Sequence, residues 1–260
     1  MSIIDAVILG LLQGFTEFIP VSSSGHLVLA DKLTNIDSSF AFDVLLNIGT
    51  LAALIVYFWP KLMELAKNLI SGRRHLVRSL FYSTLPVIII GGLFIGWFES
   101  DALRDGRVVA AMLISVGLVM VYLDKMAKLR KQEMNNLPVS SALAIGVGQV
   151  MALIPGTSRS GTTMITGRLV GLSYQDAAEY SFLLAIPVVA GAVARSMFEP
   201  EAAELWASHA GSVIMGVLAA YFSGIIAIRF MLGWLKHSGL KGFGYYRIAL
   251  GLLVILTVVI

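Results

Sequence analysis

Six stretches of this chain are apolar for long enough to approach a bilayer crossing, and two more begin that way but break at a proline. A spanning helix needs about 20 mostly apolar residues. Phe42–Trp59, Phe81–Phe98, Val108–Leu123, Ala177–Met197, Ser212–Leu232 and Tyr245–Ile260 come near that requirement. Ile3–Ile19 and Ser140–Ile154 are each followed by Pro, a Ser- and Gly-rich tip, and a short further apolar run. These half-length pairs are too broken to cross twice, so the pattern predicts a re-entrant hairpin at each. Irregular backbone at membrane depth is tolerated only where it is buried in protein or lines a wet cavity.

The two hairpins are copies of one another. A shift of 136 positions lays Gly10 on Gly146, Gln13 on Gln149, Ser22 on Ser158, Ser24 on Ser160 and Gly25 on Gly161. Without a gap it also lays Leu33 on Leu169, Ala41 on Ala177 and Asp43 on Glu179. Apolar identities arise easily by chance, but Gln, two Ser and an acid at one offset do not. The expected fold is therefore an all-α polytopic membrane protein, a single domain over 1–260. It holds two repeats, approximately 1–123 and 140–260, each one re-entrant helical hairpin plus three transmembrane helices. Three crossings carry the second hairpin to the opposite face, so the repeats are expected to be inverted, with their tips meeting near the bilayer centre.

Composition agrees: 57% of the residues are hydrophobic, 13% are charged and the mean hydropathy is +0.84. A soluble domain carries about 25% charged residues, so a water-facing globule is excluded. The pI near 9.2 does not imply a nucleic-acid partner, because the basic residues sit in short loops rather than on one stripe. Absence of cysteine excludes disulfides, thiolate zinc sites and cysteine nucleophiles. His26, His75, His209 and His237 are scattered, and the N-terminus lacks the basic region of a cleaved signal peptide. Lys61, Lys67, Arg73, Arg74, Arg78, Lys125, Lys128, Arg130, Lys131, Lys236 and Lys241 fall on one side of the spans. The other side has Arg104 and Arg107 among acids, and a loop with Glu199, Glu201 and Glu204. The lysine- and arginine-rich side is expected to be cytoplasmic. Both termini and the first hairpin then belong to the outer face.

The chemistry gathers at the tips. The first reads Gln13-Gly14-Phe15-Thr16-Glu17-Phe18-Ile19-Pro20-Val21-Ser22-Ser23-Ser24-Gly25-His26, the second Pro155-Gly156-Thr157-Ser158-Arg159-Ser160-Gly161-Thr162-Thr163. Each returning half-helix starts at its tip, so free N–H groups and positive dipole ends face each other and form an anion site. Arg159 is the candidate phosphate clamp, because its planar fork grips two oxygens. Glu17 would repel a bare phosphate, and a divalent cation between them removes that conflict. His26, one turn into the returning helix, can act as base, acid or nucleophile. Ser23 is a second candidate nucleophile, since Arg159 takes its place in the other repeat. Ser22, Ser24, Ser158, Ser160, Thr163 and Gln13 complete the candidate substrate-binding set. The plainer alternatives are a Glu17–Arg159 ion pair tying the hairpins, an interhelical hydrogen bond from His26, and serines that only cap helices. Asp43 and Glu179, at the starts of their spans, are explained by capping.

These tips resemble the signatures of the bacterial undecaprenyl-diphosphatase (bacitracin-resistance) family. Gln13–Glu17 matches its Glu/Gln-x-x-x-Glu motif, and Pro155–Thr163 matches Pro-Gly-x-Ser-Arg-Ser-x-x-Thr at every fixed position. The likeness covers the whole chain in length, span count and repeat order. It implies removal of the terminal phosphate of undecaprenyl diphosphate, giving the monophosphate carrier of wall synthesis at the bacterial inner membrane. It also implies a divalent metal, Mg2+ or Ca2+, with Glu17 as its ligand, and a homodimer. Many members carry Glu where this chain has Gln13, which leaves Glu17 as the acid of that motif. The residues leave the attacking group open among Ser23, His26 and an activated water. A transporter or flippase for an anionic lipid on the same scaffold is the competing expectation. A purely structural scaffold would leave Glu17, His26 and Arg159 without a purpose.

Overall fold

The computed structural model describes residues 2–34, 39–72, 74–98, 100–126 and 132–259. Arg73, Lys128, Arg130, Lys131 and Ile260, used above for orientation or for the last span, lie outside the described residues. Among the described residues the chain is helical, with no strand. In order the helices are α1 (Ile3–Phe18), α2 (Ser23–Thr34), α3 (Phe40–Tyr57), α4 (Trp59–Ile70) and α5 (His75–Leu93). Two single turns follow, α6 (Ile95–Phe98) and α7 (Asp101–Arg104), and then α8 (Gly106–Met126). The second half contains α9 (Val139–Val150), α10 (Arg159–Leu169), α11 (Tyr174–Ser196), α12 (Pro200–Trp234) and α13 (Lys241–Val254).

The hairpins are α1–α2 and α9–α10, with arms of 16, 12, 12 and 11 residues. At about 1.5 Å per residue, none of the four arms is long enough to cross the apolar core. Four other helices, α5, α8, α11 and α12, are long and apolar enough to do so. A fifth span, α3, bends by 69° into α4, an amphipathic helix where the hydropathy pattern had a basic loop. Its polar face carries Lys61, Glu64 and Lys67, and Pro60 fits its first turn, where the missing N–H costs nothing. The sixth expected span begins earlier than anticipated, at Lys241: α13 has 14 residues and continues as a π-helical turn, Ile255–Val259. α12 is longer, at 35 residues, with its helical geometry interrupted at His209.

Packing repeats with the same shift as the sequence. α1 lies along α12, and α9, its counterpart, lies along α5, the counterpart of the membrane-length part of α12. α3 contacts α11, and α8 pairs with α13. Each hairpin therefore rests on a span of the other half, so neither half is a free-standing unit. The approach of α1 to α12 is set by Gly10, where any Cβ would strike the Gly216 carbonyl. Its mate Gly146 stands equally close to the Ser83 carbonyl, 2.5 Å from a Cβ position. Small residues of this kind let helix backbones touch where no hydrophobic effect drives helices together.

Outward faces are apolar. Phe81, Ile88 and Ile89 on α5 and Phe222, Ile226 and Phe230 on α12 are all exposed. Continuous apolar surface of this extent is unstable against water and suits lipid. The inner faces form one main core in which Phe18, Met120, Tyr180, Phe182 and Leu184 are completely or almost completely buried. Phe18 meets Phe182 edge-on at 5.6 Å between ring centroids, fixing the end of α1 against α11. We expect Gly10→Ala and Gly146→Ala each to lower the thermal midpoint of the detergent-solubilised protein. Overpacking of this kind costs about 1–3 kcal/mol. Unchanged midpoints in scanning fluorimetry would show that these contacts can open without cost.

Candidate functional site

Both tips turn on a serine held in the left-handed region, Ser22 with φ of 77° and Ser158 with φ of 71°. They are the described non-glycine residues with positive φ, and they are repeat mates. The local bonding is also copied. Ser22 Oγ accepts from the Gly25 N–H at 3.3 Å, and Ser158 Oγ from the Gly161 N–H at 3.1 Å. Ser22 and Ser24 share a hydroxyl–hydroxyl hydrogen bond of 3.1 Å, Ser158 and Ser160 one of 3.2 Å. Such strain persists only where the surroundings over-determine it, and it concentrates at functional turns.

The tips meet. The Gly156 N–H donates to Ser24 Oγ at 3.0 Å, and Ser160 Oγ donates to the Glu17 carbonyl at 3.1 Å. The mate of Gly156 is Pro20, which has no N–H to offer, so Ser160 turns to the preceding turn's carbonyl instead. Between the tips Arg159 Nη2 lies 3.1 Å from Glu17 Oε1, an ion pair with only 11% and 13% of the two side chains exposed. Arg159 Nη1 donates to the Ser181 carbonyl at 3.3 Å, while its Nε finds no partner. The other carboxylate oxygen of Glu17 accepts from Ser23 Oγ at 3.0 Å and from Gln13 Nε2 at 3.2 Å. Gln13 Nε2 also donates to Asn47 Oδ1 at 2.9 Å.

This cluster lines a cavity of about 510 Å³. Of the residues expected there, Gln13, Glu17, Ser22, Ser23, Ser24, Ser158 and Arg159 line it. Ser160 and Thr163 do not. Ser160 is buried under the tip, and the Thr163 hydroxyl bonds to Ser181 Oγ at 2.6 Å and to the Arg159 carbonyl at 2.7 Å. They brace the turn that carries Arg159. His26 is not brought to the cavity either. Its Nδ1–H donates to the Ser22 carbonyl at 2.7 Å, which leaves Nε2 to accept from the Tyr246 hydroxyl at 2.8 Å. The ring lies stacked with Tyr246, 5.7 Å between centroids. The two hydrogen bonds hold the ring against α13 instead.

Three wall residues escaped the sequence reading: Asp43, Asn47 and Arg104. Asp43 aligned with Glu179 across the repeat, and that acid pair was the available signal. Asn47, one turn further along α3, stands on the same face as Asp43, which helical spacing could have revealed. Arg104 sits in a loop turn with no such pattern. Among the described residues no three His, Cys, Asp or Glu side chains converge on a metal position. The oxygens of Glu17, Asp43, Asn47, Gln13 and Ser23 nevertheless form a hard donor set beside an anion-binding turn. Such a set fits a cation that takes its remaining ligands from substrate phosphates and water.

The sequence profile described as bacitracin resistance protein BacA matches residues 6–253. The undecaprenyl-diphosphatase of Alteromonas mediterranea is 37% identical, covering 96% of this chain and 97% of the relative. Undecaprenyl-diphosphatase 1 of Acinetobacter baylyi is 36% identical over 98% and 95% of the two chains. The undecaprenyl-diphosphatase of Rubrobacter xylanophilus is 36% identical over 98% and 97%.

The ion pair makes a stability test independent of any chemistry. Glu17→Gln should lower the thermal midpoint, because it leaves the Arg159 cation nearly buried without a counter-charge. Adding Arg159→Gln should recover part of that loss, corresponding to a coupling of about 1–3 kcal/mol. Strictly additive shifts in the double variant would show that the pair does not couple the tips.

Proposed function

The chain belongs to the bacitracin resistance protein BacA family, and from that membership we propose that its cavity is where undecaprenyl diphosphate loses its terminal phosphate. The protein is a multi-pass bacterial membrane hydrolase of a phosphoanhydride, an undecaprenyl-diphosphatase. The observation that carries the assignment of chemistry to this site is the Ser23 hydroxyl donating to Glu17 beside Arg159. A nucleophile, a base and a phosphate clamp share one cavity.

Ser23 Oγ, 3.0 Å from Glu17 Oε2, is the attacking atom in this reading. Glu17 takes its proton as the oxygen bonds to the terminal phosphorus. The phosphoanhydride bond breaks, and Glu17 returns the proton to the departing lipid monophosphate. Water then attacks the phosphoserine, giving its proton to Glu17, which passes it back to Ser23 Oγ as inorganic phosphate leaves. Arg159 can offer its Nη2 N–H groups to the phosphoryl oxygens while its tie to Ser181 holds the guanidinium in place. The first N–H groups of α2 and α10 supply further donors without reorganisation. A Mg2+ or Ca2+ ion, held by Glu17 with Asp43 and the neighbouring amide oxygens, would offset the phosphate charge. Gln13 is assigned to orienting Glu17, and His26 to anchoring α2 on Tyr246 rather than to attack.

The transporter alternative has less support, because the mirrored position of the cavity is filled. Where the first repeat has Glu17, Val44 and Asn47, the second has Leu153, Tyr180 and Leu183. Tyr180 and Leu183 are almost completely buried. The inverted arrangement of the repeats is supported by their matching tips and exchanged helix packing. With it go both termini outside the cytoplasm and tips near the bilayer centre. The basic turns with Lys61, Lys67, Arg74 and Arg78 are placed inside. The homodimer implied by the family belongs to the same reading, and cross-linking in native membranes tests it.

Phosphate release from undecaprenyl diphosphate by the purified protein tests the assignment of roles. Ser23→Ala and Arg159→Lys are each expected to lose about two orders of magnitude or more, the latter because an ammonium cannot act as a fork. His26→Gln should cost about tenfold or less. The reverse ranking would transfer the attack to His26. Chelation should abolish turnover, and added Mg2+ or Ca2+ should restore it; Gln13→Glu should lower the metal concentration required. Full activity in chelator would remove the metal from the reaction. Compartment reporters fused at Ile260 and beside Arg74 should report outside and inside respectively; a cytoplasmic C-terminus would end the inverted-repeat reading.

A further inference from the structure

Arg247 takes no part in the steps above, yet among the described residues it is the largest side chain that is completely buried. It reaches from α13 to the junction of the two hairpins. Nη1 donates to the Pro20 carbonyl at 3.3 Å, and Nη2 donates to the carbonyls of Gly156 at 2.8 Å and Thr157 at 3.1 Å. A longer contact, 3.4 Å, runs to the Met112 carbonyl on α8. Among the described residues no carboxylate lies within ion-pairing distance of it. A cation is expensive inside a membrane protein, and one satisfied by carbonyl dipoles alone calls for a purpose.

The choice of carbonyls supplies one. Pro20 and Gly156 occupy the same place in the two repeats, and each stands two residues before the left-handed serine of its tip. One guanidinium therefore grips equivalent points of both turns at once. Ser23 follows the first strained serine and Arg159 follows the second. Whatever fixes Pro20 relative to Gly156 fixes the nucleophile relative to the clamp. The position has no counterpart in the first repeat, where Ala111 stands opposite Arg247. A side chain that holds both tips at once is needed only once.

We propose that Arg247 is a positioning residue of the phosphatase reaction, locking the two hairpin tips in the register that aligns Ser23 with Arg159. It never touches substrate. The proposal rests on the phosphatase reading of the cavity. Because misplacement by about 1 Å can cost about a hundredfold, the effect of losing Arg247 belongs in turnover rather than in substrate binding. A lysine keeps the charge but cannot hold carbonyls on two sides as a planar fork does.

The experiment measures kcat and KM for phosphate release from undecaprenyl diphosphate, normalised to folded, monodisperse protein, together with the thermal midpoint. Arg247→Lys is expected to lower kcat about ten- to a hundredfold with KM within about threefold of wild type. Arg247→Met should lower it further; if it does not fold, Arg247→Lys decides. Gly251→Ala is the control on the same helix, since a Cβ there would crowd Ile114 and the Ala110 carbonyl. It should lower the midpoint while keeping kcat per folded molecule. Wild-type kcat in Arg247→Lys would overturn the proposal, as would a loss of kcat in Gly251→Ala that matches it at equal destabilisation. An absence of phosphate release by the wild type would instead sink the phosphatase reading, and this proposal with it.

Discussion

The contact on which the rest depends is the one between Glu17 and Arg159, an ion pair made across two hairpins from opposite halves of the chain. In an apolar surrounding neither charge is tolerable alone. Each is therefore partnered: Glu17 by Arg159, Ser23 and Gln13, and Arg159 by Glu17 and the Ser181 carbonyl. Everything nearby serves to bring the partners together. The strained serines turn the chain, the Gly10 and Gly146 contacts seat each hairpin on the other half, and Phe18 against Phe182 fixes the end of α1.

A repeated scaffold has been used asymmetrically. The two tips share their strain, caps and serine pairs almost bond for bond, but their chemistry has diverged. Ser23 faces Arg159 across the shift, Glu17 faces Leu153, and Asn47 faces Leu183. One copy kept an acid, an amide ladder and a hydroxyl; the other kept a cation and filled its wall with core. Gln149 shows what was left behind. It is fully buried like its mate Gln13, yet neither atom of its amide has a partner, because Leu153 and Leu183 occupy the places of Glu17 and Asn47. A buried amide without partners is costly.

Hydropathy and the internal shift were enough to place five of the expected spans, both hairpins and the meeting of their tips. They worked because each depends on a strong local signal: run length, a proline, or polar identities at one offset. The misses have equally definite causes. α4 was left in a basic loop, since its apolar face is a single stripe among charges and no long apolar run announces it. His26 and Thr163 carry the right functional groups at the right chain distance, but tertiary hydrogen bonds tie one to Tyr246 and the other to Ser181. Asp43 was dismissed as a cap because span ends commonly carry acids, and only its place on the cavity wall separates it from that background. Arg247 carries no repeat signal, since its mate is Ala111, and the carbonyls it grips at the two tips lie 90 or more residues away in the chain.

Energetics explain why the Glu17–Arg159 pair fits a working site better than a structural tie. Replacing a buried ion pair by packed apolar residues is neutral or stabilising by about 1–4 kcal/mol. Stability alone would thus favour leucines here, as at Leu153 and Leu183. The tips instead keep, at a cavity wall, a carboxylate bound to a hydroxyl and a guanidinium whose buried Nε has no partner. When a diphosphate enters, its oxygens can take over the Arg159 donors one at a time, so the cation need never pass through an unpaired state. In the proposed reaction Glu17, released in step, is the base for the serine already bonded to it. A pair that can exchange partners without a desolvated intermediate lets a charged reaction proceed inside an apolar protein, and that requirement explains both its burial and its incomplete satisfaction.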